Sequence, residues 1–404
     1  MQLMPTRLAK SLLSLLVIGA ICSLVAFGII GVGREGIFNF DGQVLYAAGR
    51  AWLQGANPYD YAALSRAVAE IPGMDLSQVR FFYPPQASAI CIFLGLFPYT
   101  VAREIWLVLN LLAIAAIIIL TFLVVREETP KRWIPGGCLL GALIVGSPFT
   151  AHVLWMGQTS LVAFAATFAA WRSAGRKSWL AAGICLGIAS YKPQICMLVV
   201  IWLVLDRNWR VLVTAGIAAT LLSVYPIITE GPISALLRWH EGVGAGYALE
   251  FNLPGFSHKV GLESLFFAAG LPLSARVLLG TGIIITLVLW GFRSRFQQTD
   301  VLSLLMFITF TFSGYLHDYD YVALTPIFIS LWRLAPPSIP AVVCSTILIA
   351  LLYVPQRLIH VMAVPVLEQW RTVLVVVMAC LVVYLSLSRS RGLGIHRVPN
   401  PIPG

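Results

Sequence analysis

The sequence predicts an all-α polytopic membrane protein, and three observations carry that prediction. Of the 404 residues, 59% are hydrophobic and only 11% are charged, with mean hydropathy +0.87. A soluble domain carries about 25% charge, so this chain lacks the polar surface to face water on all sides. Its apolar residues fall in about twelve runs, and Lys and Arg gather in alternate short connectors between them, as the positive-inside rule requires of a membrane protein.

Arg7 and Lys10 precede an apolar run from about Leu12 to Val32. It is long enough to cross ~30 Å of hydrocarbon and lacks an evident small-residue cleavage site, so it reads as an uncleaved first span. Next comes GIFNFDGQVLYAAGRAWLQGANPYD, Gly36 to Asp60, with Asp41 a few residues beyond the span and no basic neighbour until Arg50. Val44, Leu45, Ala47, Ala48, Ala51, Trp52 and Leu53 recur at helical spacing, which predicts an amphipathic helix lying at the membrane interface. Gly55-Ala56-Asn57-Pro58-Tyr59 ends it.

Further spans are predicted at about 104–125, 134–150, 158–172, 179–190, 193–205, 210–229, 273–292, 300–316, 320–333, 338–356 and 370–388. Several are shorter than the ~20 residues of a full crossing, which predicts tilted or interrupted helices. The apolar segment 84–98 either crosses or dips in and returns, and charge decides between the two. If it returns, there are about 12 spans, both termini are cytoplasmic, and 16 of the 27 Lys and Arg lie on the cytoplasmic side. If it crosses, the basic loops all face outward, against the rule. The domain expectation is one integral-membrane unit, 1–388, with long outer loops at 34–82 and 230–272 and a basic cytoplasmic tail, 389–404. No internal repeat of the kind that builds transporters from inverted halves is evident.

Other function classes are excluded early. A net charge of +10 spread over short loops is not a nucleic-acid patch, and no nucleotide-binding glycine loop is present. The seven cysteines lie mostly in apolar spans without C-x-x-C or Cys/His grouping, so neither a disulfide framework nor a metal site is indicated. No cofactor is required by these residues, and the short acidic run does not demand a divalent cation.

In this topology the unusual polar residues share one face. Asp41, Arg80 with Tyr83-Pro84-Pro85, Gly157-Gln158, Lys192-Pro193-Gln194 and His317-Asp318-Tyr319-Asp320 all fall at the outer ends of spans. Each has an ordinary reading too. Pro85 can simply start a helix, Gly157-Gln158 can be an interfacial turn, Lys192 can snorkel to the headgroups, and His317 and Asp320 can pair locally. Ionisable groups at membrane depth are costly and are candidates for function by default. Together they offer a base for a hydroxyl proton, cations for a phosphate leaving group, and aromatic faces for sugar rings. With no nucleotide site, the energy must come from a lipid-linked activated substrate.

At these residues the chain resembles glycosyltransferase family 87, membrane hexosyltransferases of the GT-C fold that include polyprenol-phosphate-mannose-dependent α-mannosyltransferases. The likeness runs over roughly residues 36 to 330: Asp41 to Tyr46, Gly55 with Pro58-Tyr59, Tyr83-Pro84-Pro85, Gly157-Gln158, Lys192-Pro193-Gln194 and His317 with Tyr319-Asp320. The resemblance implies Asp41 as catalytic base and His317 as its assistant. It implies donor or acceptor binding by Arg80, Tyr83, Gln158, Lys192, Asp318 and Asp320, and an inverting displacement without a covalent intermediate. Gly42-Gln43 departs from the mannosyltransferase members, so the sugar is not carried over.

The expected function is therefore hexose transfer from a polyprenyl-phosphate sugar to a glycolipid or envelope glycan, on the extracytoplasmic side of the plasma (inner) membrane. Two rivals come from other classes. A secondary transporter would place its charges at the midplane, in two equivalent broken helices. A non-catalytic membrane scaffold would keep the fold without the chemistry.

Overall fold

The computed structural model describes residues 6–30, 40–69, 71, 80–334, 347–362 and 364–392. The start of the predicted span 338–356, most of the predicted tail, and parts of loop 34–82 lie outside them. Of the described residues 80% are helical, and no strand occurs among them.

Helix α1 (Thr6–Ser23) runs on into a π-helical turn, Leu24–Ile29. The first long loop then carries α2 (Phe40–Leu53) and α3 (Tyr61–Ala69). After Pro85 come the short α4 (Ser88–Gly95) and the 30-residue α5 (Tyr99–Glu128). A bent pair follows, α6 (Trp133–Val145) and α7 (Pro148–Met156), then α8 (Ser160–Gly175), α9 (Trp179–Ala189) and α10 (Pro193–Leu205). A second bent pair is α11 (Trp209–Leu222) and α12 (Val224–Glu230), which leads to α13 (Pro232–Tyr247) and α14 (Leu262–Ala268). The rest of the bundle is α15 (Ala275–Gly291), α16 (Gln298–Phe312), α17 (Thr325–Leu334), the short α18 (Gln356–His360) and α19 (Pro365–Glu368), and α20 (Trp370–Gly392).

Helix length and composition single out few full crossings, as the short and interrupted spans of the sequence predict. Among the described residues, only Tyr99–Glu128 and Trp370–Arg389 are long and apolar enough to cross a membrane. The two bent pairs, kinked by 45° and 62°, bring the number to four if each is one span. The breaks have local causes. Pro148 starts α7 without an N–H to continue α6, and left-handed residues at Gly157, Lys177 and Arg207 close α7, α8 and α10. Large apolar side chains such as Leu112, Ile119, Val213, Leu221 and Ile284 point outward and are more than half exposed. A surface of this kind is matched to lipid and not to water.

The ends of the helices differ in chemistry. At one end the last turn of α5 meets the ends of α8, α17 and α20. Arg172 forks onto Glu127 at 2.6 and 2.7 Å, Arg333 reaches Glu128 at 3.1 Å and pairs with Asp300, and Arg389 caps the carbonyl of Arg333 at 2.8 Å. These are the basic connectors of the sequence, gathered at one end. Asp41, Tyr83, Gln158, Lys192 and the 317–320 segment lie together at the other. Segment 85–98 begins and ends at that second end: Gln86 donates to the Ser190 carbonyl at 2.8 Å, and the Phe97 carbonyl accepts from Tyr46 at 3.2 Å.

The amphipathic surface helix expected after Asp41 is instead an interior one. Eleven of the 14 residues of α2 are buried, from Asp41 to Trp52, because α3, α4 and α5 close over it. The closest approach is made by two glycines. A Cβ on Gly49 would stand 1.8 Å from the Cys91 carbonyl oxygen, and one on Gly95 would stand 2.8 Å from the Gly49 carbonyl carbon. Gly49→Ala is therefore expected to destabilise by at least the ~1–3 kcal/mol of ordinary overpacking. Gly216→Ala, whose Cβ meets nothing within 4 Å, should be neutral or slightly stabilising. Thermal unfolding followed by tryptophan fluorescence reads both, and equal midpoints for the two variants would contradict the close crossing.

Candidate active site

Five segments converge on one buried polar cluster. Helix α7 ends at Gly157 in the left-handed conformation (φ 67°), and its carbonyl accepts from Trp106 Nε1 on α5 at 2.7 Å. That turn delivers the Gln158 side chain inward. Its Oε1 accepts from Tyr83 at 3.4 Å and from Lys192 at 3.3 Å, while Nε2 donates to Tyr319 at 3.0 Å. Tyr83 is held from behind, because its carbonyl accepts the Tyr59 hydroxyl at 2.6 Å. Pro85 does open a short 3-10 turn, so the helix-start reading and the site reading of Tyr83-Pro84-Pro85 both apply.

Lys192 does not snorkel. It precedes Pro193 at the start of α10, and its ammonium turns inward, 4% exposed. Its three N–H groups meet Asp320 at 2.5 Å, Ser160 at 2.7 Å and Gln158 at 3.3 Å, and the ammonium lies 5.0 Å from the centre of the Tyr319 ring. Ser160 also donates to Asp320 at 2.6 Å. A buried charge is tolerable only when paired and hydrogen-bonded, and here every donor of the ammonium is placed.

Asp41 is in the first turn of α2, 7% exposed. Burial raises its carboxyl to about 7, against the pull of the Lys192 charge and of the Gln158 side chain within hydrogen-bonding reach. The nearby Asp320 charge adds to the rise, and the helix N-terminus is a favourable place for the ionised form. The result is a carboxyl poised between its two protonation states at neutral pH.

His317 opens a 3-10 turn, Asp318–Leu324, as a capping box. Its side chain accepts from the Asp320 backbone N–H, and Asp320 Oδ2 accepts the His317 N–H at 3.2 Å. Asn252 donates to the Gly246 carbonyl at 2.7 Å, which leaves its Oδ1 facing His317 Nε2 at 2.9 Å. Both ring nitrogens are therefore engaged, and burial lowers the imidazole to about 4. His317 is a neutral, fixed ring stacked on Tyr319 at 5.1 Å. The local His317–Asp320 ion pair does not form, because Asp320 answers Lys192 instead.

Asp318 faces a different way, towards Arg371 at 2.6 Å and His258 at 2.9 Å. Arg80 also stands apart: its guanidinium lies over the Tyr61 ring of α3, 3.9 Å from the centroid. The polar cluster thus brings together Asp41, Tyr83, Gln158, Lys192, His317 and Asp320 and leaves Asp318 and Arg80 on its flanks. Sequence reasoning missed Ser160 and Asn252. Ser160 carries a faint signal, a hydroxyl two residues after Gln158, whereas Asn252 in the middle of a long loop carries none.

Removing one member of the buried pair strands the other. Lys192→Met and Asp320→Asn are each expected to cost about 3–5 kcal/mol, and the double variant Lys192→Met/Asp320→Leu to recover much of that loss. Thermal midpoints of the three proteins test this; a double variant as unstable as the sum of the singles would deny the coupling.

No curated protein matches the chain. The profile of glycosyltransferase family 87 matches residues 81–316, more than half of the sequence. Tyr83, Gln158 and Lys192 are within the matched stretch, Asp41 precedes it, and His317 to Asp320 follow it directly. With helices arranged for a membrane and a buried acid beside tyrosines and a paired lysine, the chain belongs to glycosyltransferase family 87 and is a membrane glycosyltransferase.

Proposed function

We propose that the protein moves a hexose from a polyprenyl-phosphate sugar to a hydroxyl of a glycolipid or envelope glycan, at the extracytoplasmic face of the plasma (inner) membrane and within a GT-C-type fold. The observation that carries this reading is Asp41: a buried carboxyl raised to about 7, at the end of the bundle where the aromatic and cationic side chains meet. A general base works best with a proton affinity near the operating pH.

In the reaction, the acceptor hydroxyl oxygen attacks the anomeric carbon and forms the new glycosidic bond. Asp41 takes the hydroxyl proton, the bond from that carbon to the phosphate oxygen breaks, and polyprenyl phosphate leaves with the electron pair. Attack opposite the leaving group inverts the anomeric centre. Tyr83 and Tyr319 line the cluster beside which the sugar binds. The longest Lys192 contact, 3.3 Å to Gln158, is the one a donor phosphate oxygen would replace, so that the cation meets the charge growing on the leaving group. His317 is a positioning residue, since both its nitrogens already hold the 3-10 turn and loop 250–252. Asp318 and Arg80 act from the flanks, through the loop and through α3.

The test is transfer from radiolabelled polyprenyl-phosphate mannose, glucose or arabinose to a membrane-lipid acceptor pool, by wild type and Asp41→Asn in lipid. Wild type should transfer one of the sugars, and Asp41→Asn should lose roughly 10²–10⁴-fold while still folding and binding donor. Equal rates would remove Asp41 from the chemistry.

The pH profile has a fixed sign. The base form exists above the Asp41 midpoint, so kcat/KM should climb about tenfold per pH unit below about 7 and level off above it. The groups facing Asp41 are Lys192, Asp320, Tyr83, Tyr315 and Tyr319. A flat profile between pH 5 and 8 would contradict the assignment.

A further inference from the structure

Beside Tyr319, whose ring centre is 5.3 Å from that of His152, three potential ligands from three segments face one another. His152 is on α7, His258 is in the long loop between α13 and α14, and Asp318 begins the 3-10 turn. Their ligand atoms all lie within 4.8 Å of one another. Both imidazoles turn Nδ1 to the carboxylate: His258 is 2.9 Å from Oδ2, and His152 is 3.4 Å from Oδ1. Asp318 is 4% exposed, yet among the described residues its Oδ1 has no hydrogen-bond partner. Arg371 occupies the other oxygen, Oδ2, at 2.6 Å. A buried carboxylate oxygen whose nearest donor, His152 Nδ1, stands as far off as 3.4 Å is costly.

We infer that His152, His258 and Asp318 bind a divalent cation of the zinc type. Two imidazoles with one carboxylate are a three-ligand set for borderline metals, whereas magnesium and calcium take all-oxygen shells. Ligand atoms around a tetrahedral zinc lie about 3.3 Å apart, close to both Nδ1–O separations. Both imidazoles are accessible from outside: the His152 side chain is 16% exposed and that of His258 39%. That exposure also gives the ion an entry path and a fourth position for water. Stacking on Trp155, with ring centres 4.5 Å apart, keeps His152 oriented.

The ion would act as a clip. The loop bearing His258 already pairs with the segment bearing Asp318: the Asp318 N–H meets the His258 carbonyl at 2.8 Å and the Val260 N–H meets the Leu316 carbonyl at 3.1 Å. Neither bond reaches α7. A shared cation ties α7 to both, one residue away from Tyr319 and two from Asp320, and it fixes the long loop over the site. The inference does not depend on which sugar is transferred, and no step of the reaction above passes through the ion.

The experiment uses full-length protein purified in lipid nanodiscs without a histidine tag, and zinc as the probe. Elemental analysis after dialysis should find about one zinc per chain for three protein ligands and an open fourth position. Cobalt exchanged into the site should give visible d–d absorption of a low-symmetry centre. A chelator should lower the thermal midpoint of wild type, and added zinc should restore it. His152→Asn and His258→Asn keep an N–H near Nδ1 that can still donate to Asp318. Each should fold and lose zinc affinity by more than the ~10–100-fold that accompanies loss of a supporting group, and neither should respond to chelator. His240→Ala, an exposed control, should behave as wild type. A wild type without zinc whose midpoint ignores both chelator and zinc would mean that the trio is a hydrogen-bonded clasp only, and zinc retained by both Asn variants would place the ion elsewhere; either overturns the inference.

Discussion

The bundle is arranged around one expensive fact, an ammonium with almost no access to water. Lys192 sits at a helix start, before a proline, in a chain whose other helices bury apolar side chains. Its desolvation is offset only because three acceptors from two other segments meet it. Asp320 supplies the charge, and Ser160 and Gln158 complete the coordination. This requirement links α8, α10 and the 3-10 turn more firmly than apolar packing could, since packing is non-directional. His317 beside this pair is neutral because burial outweighs the support that the Asp320 charge gives to a proton on the ring, and the Lys192 charge works against that proton too.

Asp41 is a buried carboxyl for which no ion-pair partner occurs among the described residues. Its neighbours are tyrosines, an amide and an ion pair already balanced within itself. Burial therefore dominates, and the carboxyl is pushed upward where a salt-bridged acid would be pushed down. The opposite end of the bundle shows the contrast: Asp300 is bound directly by Arg333 and also by two serines. Both ends contain buried acids, but only one of them leaves its acid short of a counter-charge. That asymmetry distinguishes the two ends of the bundle.

Much of this was legible in the residues, because the signals were of the kind that survive without coordinates. Basic connectors in alternation gave the two ends, and Pro or Gly beside Lys192 and Gln158 marked where helices turn inward. Other features were not legible, for physical reasons. The burial of α2 depends on Gly49 and Gly95, 46 residues apart in sequence, and the apolar spacing of α2 looks the same for a surface helix as for a covered one. Hydropathy located the breaks at Lys177 and Arg207, where left-handed turns separate 158–172 from 179–190 and 193–205 from 210–229, but not the 62° bend inside 210–229. Arg80 was grouped with the site by proximity along the chain to Tyr83, whereas the Tyr61 ring holds it. The direction taken by Asp318 could not be read from its neighbours, since residues 317, 318 and 320 of one tight turn point to three different partners.

The contact between α2 and α4 has a consequence for the order of events during synthesis. Asp41 is made before the segment that covers it, and until Ser88–Gly95 folds back it is an ordinary, hydrated aspartate. Leu94 and Trp106, which lie beside Gly42, arrive later in the chain and contribute no ionisable group. Burial of Asp41 is complete only when later segments such as these have packed on α2, and burial is what raises the carboxyl. The affinity of this carboxyl for a proton is thus acquired at assembly, and not written into the aspartate alone.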